Sequence, residues 1–427
     1  MKLNYKRTIL VGLAFMAICS FWQVYDGIVP LILKNTFHVG DTVAGVIMAL
    51  DNVLALFMLP LFGALSDKSK SKMGRRMPFI VGGTVLAVLC MLLIPVADNL
   101  RNLPLFFVGL GLVLFAMSTY RSPAVALMPD VTPKPLRSKG NAIINLMGAV
   151  GGIIALGAIK VMVPKSDNPS YFPLFLFTIL LMVICTAVLF WKIKEPKEVA
   201  AMEKETAAIE PVTEEKTLPK NAPMDKAMRK SLILILCSVF LWFMGYNAAT
   251  TAFSKYANTM WGMQGGDYAM VLMVAQIAAI FSYIPVGAIS SKIGRKKTIL
   301  GGITMLAVAF GAAIWFKSFS AMIFFFFALA GVGWASINVN SYPMVVEMSR
   351  GAEVGKYTGL YYTFSMTAQI ITPILSGAVM QYLDYKYLFP YCTFFVIASF
   401  VTMCFVKHGD NKPQAPKSKL EAFDVDD

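Results

Sequence analysis

Twelve apolar runs, each close to the length that crosses a bilayer, set the limits on what this chain can fold into. A helix needs about 20 apolar residues to cross the roughly 30 Å hydrocarbon layer. Runs of that kind fall at about 8–33, 41–65, 77–97, 104–127, 139–162 and 171–193, then at 230–255, 267–290, 298–316, 319–343, 358–381 and 387–406. Apolar residues make up 57% of the 427, charged residues only 15%, and the mean hydropathy is +0.65. Soluble domains carry about 25% charged residues, and one globular core cannot hide this much apolar surface. The expected class is therefore an all-α membrane protein with twelve transmembrane helices and lipid as a partner. The first run follows Met1–Arg7 without a small-residue cleavage site, so it reads as a membrane helix and not a signal peptide.

The formal charge of +14 suggests nucleic acid in a soluble protein. Here the basic residues sit in short loops, and no basic helix or aromatic platform lies outside the runs, so no nucleic-acid partner is expected. Lys68, Lys70, Lys72, Arg75 and Arg76 follow the second run. Lys134, Arg137 and Lys139 follow the fourth, and Lys292, Arg295, Lys296 and Lys297 the eighth. Alternate loops are poorer, with Lys34 in one and Arg101 in another. The positive-inside rule then places both termini in the cytoplasm of a multi-pass plasma-membrane protein of bacterial type. The six cysteines all fall in apolar runs without metal-ligand spacing, read as small buried hydrophobes, and leave no metal site expected.

The chain repeats itself. Gly74-Arg75-Arg76 recurs as Gly294-Arg295-Lys296, and Pro123 as Pro343, each at an offset of 220. Gly63-Ala-Leu-Ser-Asp67 echoes Gly287-Ala-Ile-Ser-Ser291 upstream. The matched order predicts two pseudo-symmetric six-helix bundles, 1–194 and 230–407. A Glu-, Lys-, Ala- and Pro-rich cytoplasmic linker at 195–229 joins them, and a polar cytoplasmic tail at 408–427 follows.

The segment from Gly63 through Asp67, Gly74, Arg75 and Arg76 to Phe79 resembles the loop signature of major facilitator transporters. Its spacing between Asp67 and Gly74 resembles the glycoside–pentoside–hexuronide:cation symporters and the sucrose-transporter type. Tyr120-Arg-Ser-Pro-Ala-Val-Ala-Leu-Met-Pro-Asp130 resembles the end of their fourth helix. With the repeat, the resemblance covers nearly the whole chain and implies the major facilitator fold. A carboxylate and guanidinium at helix ends can latch one conformation and release in another. A gate is therefore expected from Asp67, Gly74, Arg75, Arg76, Asp130, Arg137, Gly294 and Arg295. Ser291 replaces the acid in the second copy, which should weaken its latch. An ordinary positive-inside loop would explain the bases but not the acid.

Ionisable groups at membrane depth point to function. Asp26 lies 19 residues beyond Arg7, roughly 28 Å along a helix at 1.5 Å per residue. Asp51 lies near the middle of the second run, and Arg121 nearer the cytoplasmic third of the fourth. These depths make a direct Asp26–Arg121 contact depend on where the helix ends fall. Bland readings stand beside each: Asp26 in a loop after a shorter helix, Asp51 bonded to Asn52, Arg121 paired near Asp130. The second half offers Tyr246, Asn247, Gln276, Trp334, Asn338, Asn340 and Gln369 at comparable depth. Amides and acids bind sugar hydroxyls and an aromatic ring packs on the apolar sugar face, although each alone could serve as a helix–helix hydrogen bond.

The resemblance sharpens this. In the cation symporters a first-helix acid contributes to sugar binding, and Asp26 resembles it. Their fourth-helix acid is replaced by Arg121, their second-helix cation-site acids by Ala55 and Leu59, their eleventh-helix lysine by Gln369, and their fifth-helix arginine by Asn145. A dismantled sodium site implies proton coupling through Asp51 or Asp26. His38 and His408, the only histidines, lie outside the runs, so a proton carrier must be a carboxylate. The expected protein is a monomeric proton-coupled symporter of a disaccharide or other glycoside. It would need no cofactor beyond the proton, with sodium the less favoured ion. Rival readings are a sodium-coupled sugar symporter, a drug:proton antiporter suited by 27 methionines, and a non-transporting membrane sensor. No Ser-His-Asp set, metal cluster or phosphate loop indicates an enzyme.

Overall fold

The computed structural model describes residues 3–133, 136–166, 169–207, 226–348 and 354–410. Among them are twelve helices long and apolar enough to cross a membrane. They are Tyr5–Asn35, Asp41–Asp67, Met77–Asn99, Leu103–Asp130, Lys139–Met162 and Phe172–Lys192, followed by Lys226–Thr251, Asp267–Ile293, Arg295–Ala313, Met322–Glu347, Lys356–Tyr382 and Tyr385–Cys404. They are numbered here as spans 1 to 12. Helices suit this sequence because a helix satisfies its own backbone hydrogen bonds, which lipid cannot do. The preceding residue caps the start of three of them: Asn4 accepts from the Arg7 N–H at 3.1 Å, Asn102 from the Leu105 N–H at 3.0 Å, with Pro104 in the first turn, and Asp384 from the Lys386 N–H at 2.9 Å.

Span ends differ from the hydropathy runs by several residues. Span 1 extends through Asp26 and Pro30 to Asn35, so Asp26 is helical and not in a loop. The run at 230–255 is two elements. Its helix begins at Lys226 and ends at Thr251, and a separate short helix covers Phe253–Trp261. Hydropathy registers apolar content rather than backbone hydrogen bonding, so it misses polar helix ends and breaks inside apolar sequence. The first part of the expected linker, Glu195–Ala207, is helical. Residues 208–225 of that linker and 411–427 of the tail lie outside the described residues.

The chain packs into two units. One comprises 1–39, 50–210 and 264–270; the other comprises 40–49, 211–263 and 271–427. Chain order and packing part company at the starts of spans 2 and 8. Gly45 and Gly377 bring span 2 against span 11, where an added Cβ would meet the Pro373 or Asp41 carbonyl oxygen at 2.0 or 2.3 Å. Exposed apolar stripes are legible at helical spacing: Leu176, Leu180 and Ile184 on span 6, and Phe394, Ile397 and Val401 on span 12. Of the cysteines, Cys90, Cys185 and Cys392 are buried, while Cys404 is exposed beside Phe405. Its apolar run is a lipid-facing surface there, not a core.

Candidate functional site

At the basic end of the first unit, one arginine organises the expected gate. Arg76, 6% exposed, donates from Nε to Asp130 Oδ2 at 2.8 Å. It also donates from Nη2 to Asp67 and from Nη1 to the Ser66 hydroxyl, and reaches the Gly63 carbonyl at 3.4 Å. Burial works to lower the Arg76 pKa, but Asp130 and Asp67 outweigh it and hold the guanidinium above its usual value. The guanidinium thus ties spans 2 and 4 to the start of span 3.

The acid that completes this cluster was missed in the sequence. Glu195, 1% exposed, accepts from the backbone N–H groups of Arg75 at 2.7 Å, Arg76 at 3.0 Å and Met77 at 2.8 Å. A carboxylate capping the first amides of span 3 is favoured by charge and geometry alike. Gly74 has φ +111°, and a Cβ there would lie 2.3 Å from Glu195 Oε2, so both conformation and space call for glycine. Arg75 contributes its backbone while its side chain is exposed. Arg137 is turned elsewhere, donating to the Thr132 and Pro129 carbonyls at 3.3 and 3.0 Å, where it caps the end of span 4.

The second unit repeats the plan with different partners. Gly294 has φ +97°, and Asp410 accepts from the Lys296 N–H at 2.8 Å, as Glu195 does in the first copy. Arg295 pairs with Glu347 at 2.6 Å, at the end of span 10 where the first copy has Asp130. Ser291 bonds locally, to the Ala288 carbonyl at 2.8 Å. The second latch thus keeps an acid, on span 10 instead of span 8. Glu347 lies 217 residues after Asp130 and Asp410 lies 215 after Glu195, so a search of the repeat to the span ends would have found both.

Deeper in the first unit, the expected charges converge. Asp26 is within electrostatic reach of Asp51 and Arg121, and Arg121 also acts on Asp51. The 28 Å estimate sets Asp26 and Arg121 at different depths, and packing brings them within electrostatic reach of each other. Asn52 Nδ2 donates to Asp51 Oδ1 at 2.8 Å. The Arg121 guanidinium lies 5.5 Å from the centroid of the Trp22 ring, within cation–π range, while Asp130 is taken by Arg76. Trp22, Tyr25 and Asp26 share one face of span 1 at i, i+3 and i+4. Helical spacing back from Asp26 could have named both aromatics. Asn145 sits on the stretch of span 5 that packs level with Gly12–Cys19, nearer the basic end than this cluster.

In the second unit, Tyr246 and Trp334 stack with centroids 3.7 Å apart and planes at 3°, and Phe243 meets Trp334 edge-on at 5.3 Å. Asn247 is the next residue along span 7, and its buried Nδ2 has no hydrogen-bond partner among the described residues. Gln369 is half-buried on span 11, and Asn338 is buried on span 10. Asn340 is otherwise engaged. It donates to the Ser336 carbonyl at 2.9 Å and accepts from the Ser290 hydroxyl, so it joins spans 8 and 10 and has little left for a solute.

Against known proteins, a profile of the Major Facilitator Superfamily matches residues 11–282 and 235–424. Sucrose transport protein SUC3 of Arabidopsis thaliana is 25% identical over 178 residues, covering 34% of this chain and 29% of the relative. Sucrose transport protein SUC4 of Arabidopsis thaliana is 30% identical over 126 residues, covering 26% of this chain and 25% of the relative. The matched stretch thus spans under a third of either relative. Among solved structures, a point mutant of the nucleoside transporter NupG has a TM-score of 0.69 at 13% identity, covering 94% of this chain and 100% of its own. The POT family transporter PepTSo has a TM-score of 0.67 at 12% identity, covering 95% and 98%. At these identities the structures establish the fold.

Proposed function

From the premise that the chain belongs to the Major Facilitator Superfamily and is a transport protein, not an enzyme, we propose that it carries a sugar in symport with protons. The observation that carries this reading is the convergence of Asp26, Asp51 and Arg121 inside apolar spans of one unit. Charges at membrane depth are retained where a solute or ion uses them. Two carboxylates beside one guanidinium sum to one uncompensated negative charge, and one proton cancels it. The sugar-binding candidates are Asp26, Arg121 and Asn145 in the first unit, and Tyr246, Asn247, Trp334, Asn338, Asn340 and Gln369 in the second.

Alternating access would then couple the two gradients. Binding of sugar and a proton neutralises the cluster, lowers the cost of enclosing it, and biases the loaded carrier toward reorientation. The Arg76 and Arg295 clusters would latch and release at the cytoplasmic face. The loop charges support both termini lying in the cytoplasm of a bacterial-type plasma membrane, with the monomer as the working unit. Similarity to sucrose transport proteins supports a disaccharide or other glycoside.

The test is uptake into proteoliposomes holding the full chain. Radiolabelled sucrose, maltose and lactose should enter, and a dipeptide, a nucleoside and an amphiphilic cationic dye should not. Transport of the dye without any sugar would overturn the reading in favour of a drug exporter.

A further inference from the structure

We propose that Trp22 and Tyr25 are substrate-binding residues, which together with Asp26 and Asp51 form a subsite that recognises neighbouring hydroxyl groups of the sugar. Trp22 is half-buried, and its Nε1 is buried without a hydrogen-bond partner among the described residues. Tyr25 is 1% exposed, and its hydroxyl is likewise buried without a partner among them. That hydroxyl lies within electrostatic reach of both Asp51 and Asp26. The two rings meet edge-on at 5.4 Å, and Phe21 backs both, at 5.0 Å from Trp22 and 6.0 Å from Tyr25. Their positions are therefore fixed by packing, while their polar atoms are not engaged by it.

A buried polar group left unpaired loses its hydration without compensation, so it favours a ligand that supplies the missing partner. Two such donors stand one helical turn apart, the tyrosine's within electrostatic reach of two carboxylates, and they form a pattern with a chemical complement. The indole N–H can only donate, an ionised carboxylate can only accept, and the tyrosine hydroxyl can donate toward an acceptor. A group that satisfies both kinds must accept and donate at once, and a hydroxyl does. An anionic solute would face Asp26 and Asp51. A cationic solute would pair with the acids but leave the indole and phenol donors unmet and lie beside Arg121. Arg121 is held over the Trp22 ring, so it screens the acids without closing off the indole nitrogen. A pair of hydroxyls on a neutral polyol ring fits all four groups.

This inference rests on the sugar reading above and adds which side chains read the hydroxyls. Tyr25→Phe and Trp22→Phe each remove one donor and keep a ring, and both are to be made in the full chain and reconstituted. In counterflow of labelled sucrose, maltose and lactose, each variant should raise the half-saturating concentration about fivefold, as expected for one neutral hydrogen bond. The maximal rate should stay within about twofold. Monodeoxy versions of the transported sugar supply the readout that a structural role would not move. One deoxy position should weaken wild-type binding but have no further effect on Tyr25→Phe, and a neighbouring position should behave in the same way for Trp22→Phe. An unchanged half-saturation in both variants, or an equal loss for the sugar and every deoxy analogue, overturns the subsite and leaves the sugar reading standing. A wild-type protein that carries no sugar of the panel overturns both. Should Trp22→Phe fail to assemble, Tyr25→Phe, which removes a single oxygen, decides the matter alone.

Discussion

Lys255 donates from Nζ to Asp41 Oδ1 at 2.7 Å, and the lysine is only 4% exposed. Tyr385 donates to the other carboxylate oxygen at 2.6 Å. Asp41 begins span 2, and Asp267, which begins span 8, pairs with Lys160 and with Lys165, the latter at 2.8 Å. In each case a carboxylate at the start of a span meets lysines distant in sequence, at the end of the unit opposite the Arg76 or Arg295 cluster.

Removing one partner from a buried pair leaves an uncompensated charge, at a cost of about 3–5 kcal/mol. Asp41→Asn should therefore lower the thermal unfolding midpoint of the purified protein sharply. Asp41→Asn combined with Lys255→Met should recover much of the loss. A double variant no better than Asp41→Asn would show that the charge itself is not the issue.

The Arg76 cluster ranks its two acids. The Asp67 side chain is 58% exposed and that of Asp130 19% exposed. A more buried charge pair is less screened by solvent. Asp130→Asn should slow sugar counterflow more than Asp67→Asn, with equilibrium sugar binding little changed in either. Equal rates in both variants and wild type would remove the cluster from the transport cycle.

Glu195 caps three amides at the start of span 3, so its loss should act locally. Glu195→Ala should cost about 1–2 kcal/mol, the usual scale for a helix cap, and speed hydrogen exchange at the Arg75, Arg76 and Met77 amides. Gly74→Ala should reproduce that exchange pattern, because its Cβ would displace the carboxylate. Protection unchanged in both variants would show that other groups hold the amides.

The number and order of the spans were legible in the sequence because each carries enough apolar length to stand out alone. The ends were not, since Lys226 and Arg295 start helices that hydropathy opens late, and Ala252 breaks one inside apolar sequence. Asp26, Asp51 and Arg121 could be picked out because charge in an apolar run is conspicuous. Their convergence could not, as it depends on how spans 1, 2 and 4 tilt and pack. Glu195 and Asp410 were hidden for another reason: they look like ordinary linker and tail acids until folding returns them to the starts of spans 3 and 9. Lys255 drew no attention because it falls on the last position of the run at 230–255, where a charge looks like an ordinary span end.

In the proposed cycle one carboxylate of the Asp26–Asp51–Arg121 cluster carries the coupling proton. Asp51→Asn resembles the protonated acid and leaves Asp26 and Arg121 as a neutral pair. It should keep sugar exchange across the membrane and lose accumulation driven by a pH gradient. The most direct measurement is labelled-sugar counterflow beside pH-driven uptake, without sodium, for wild type, Asp51→Asn and Asp26→Asn. Wild type should concentrate sugar, Asp51→Asn should only equilibrate it, and Asp26→Asn should lose binding as well. Concentration of sugar by Asp51→Asn would make Asp26 the carrier, and wild-type uptake that requires sodium at constant pH would contradict proton coupling itself.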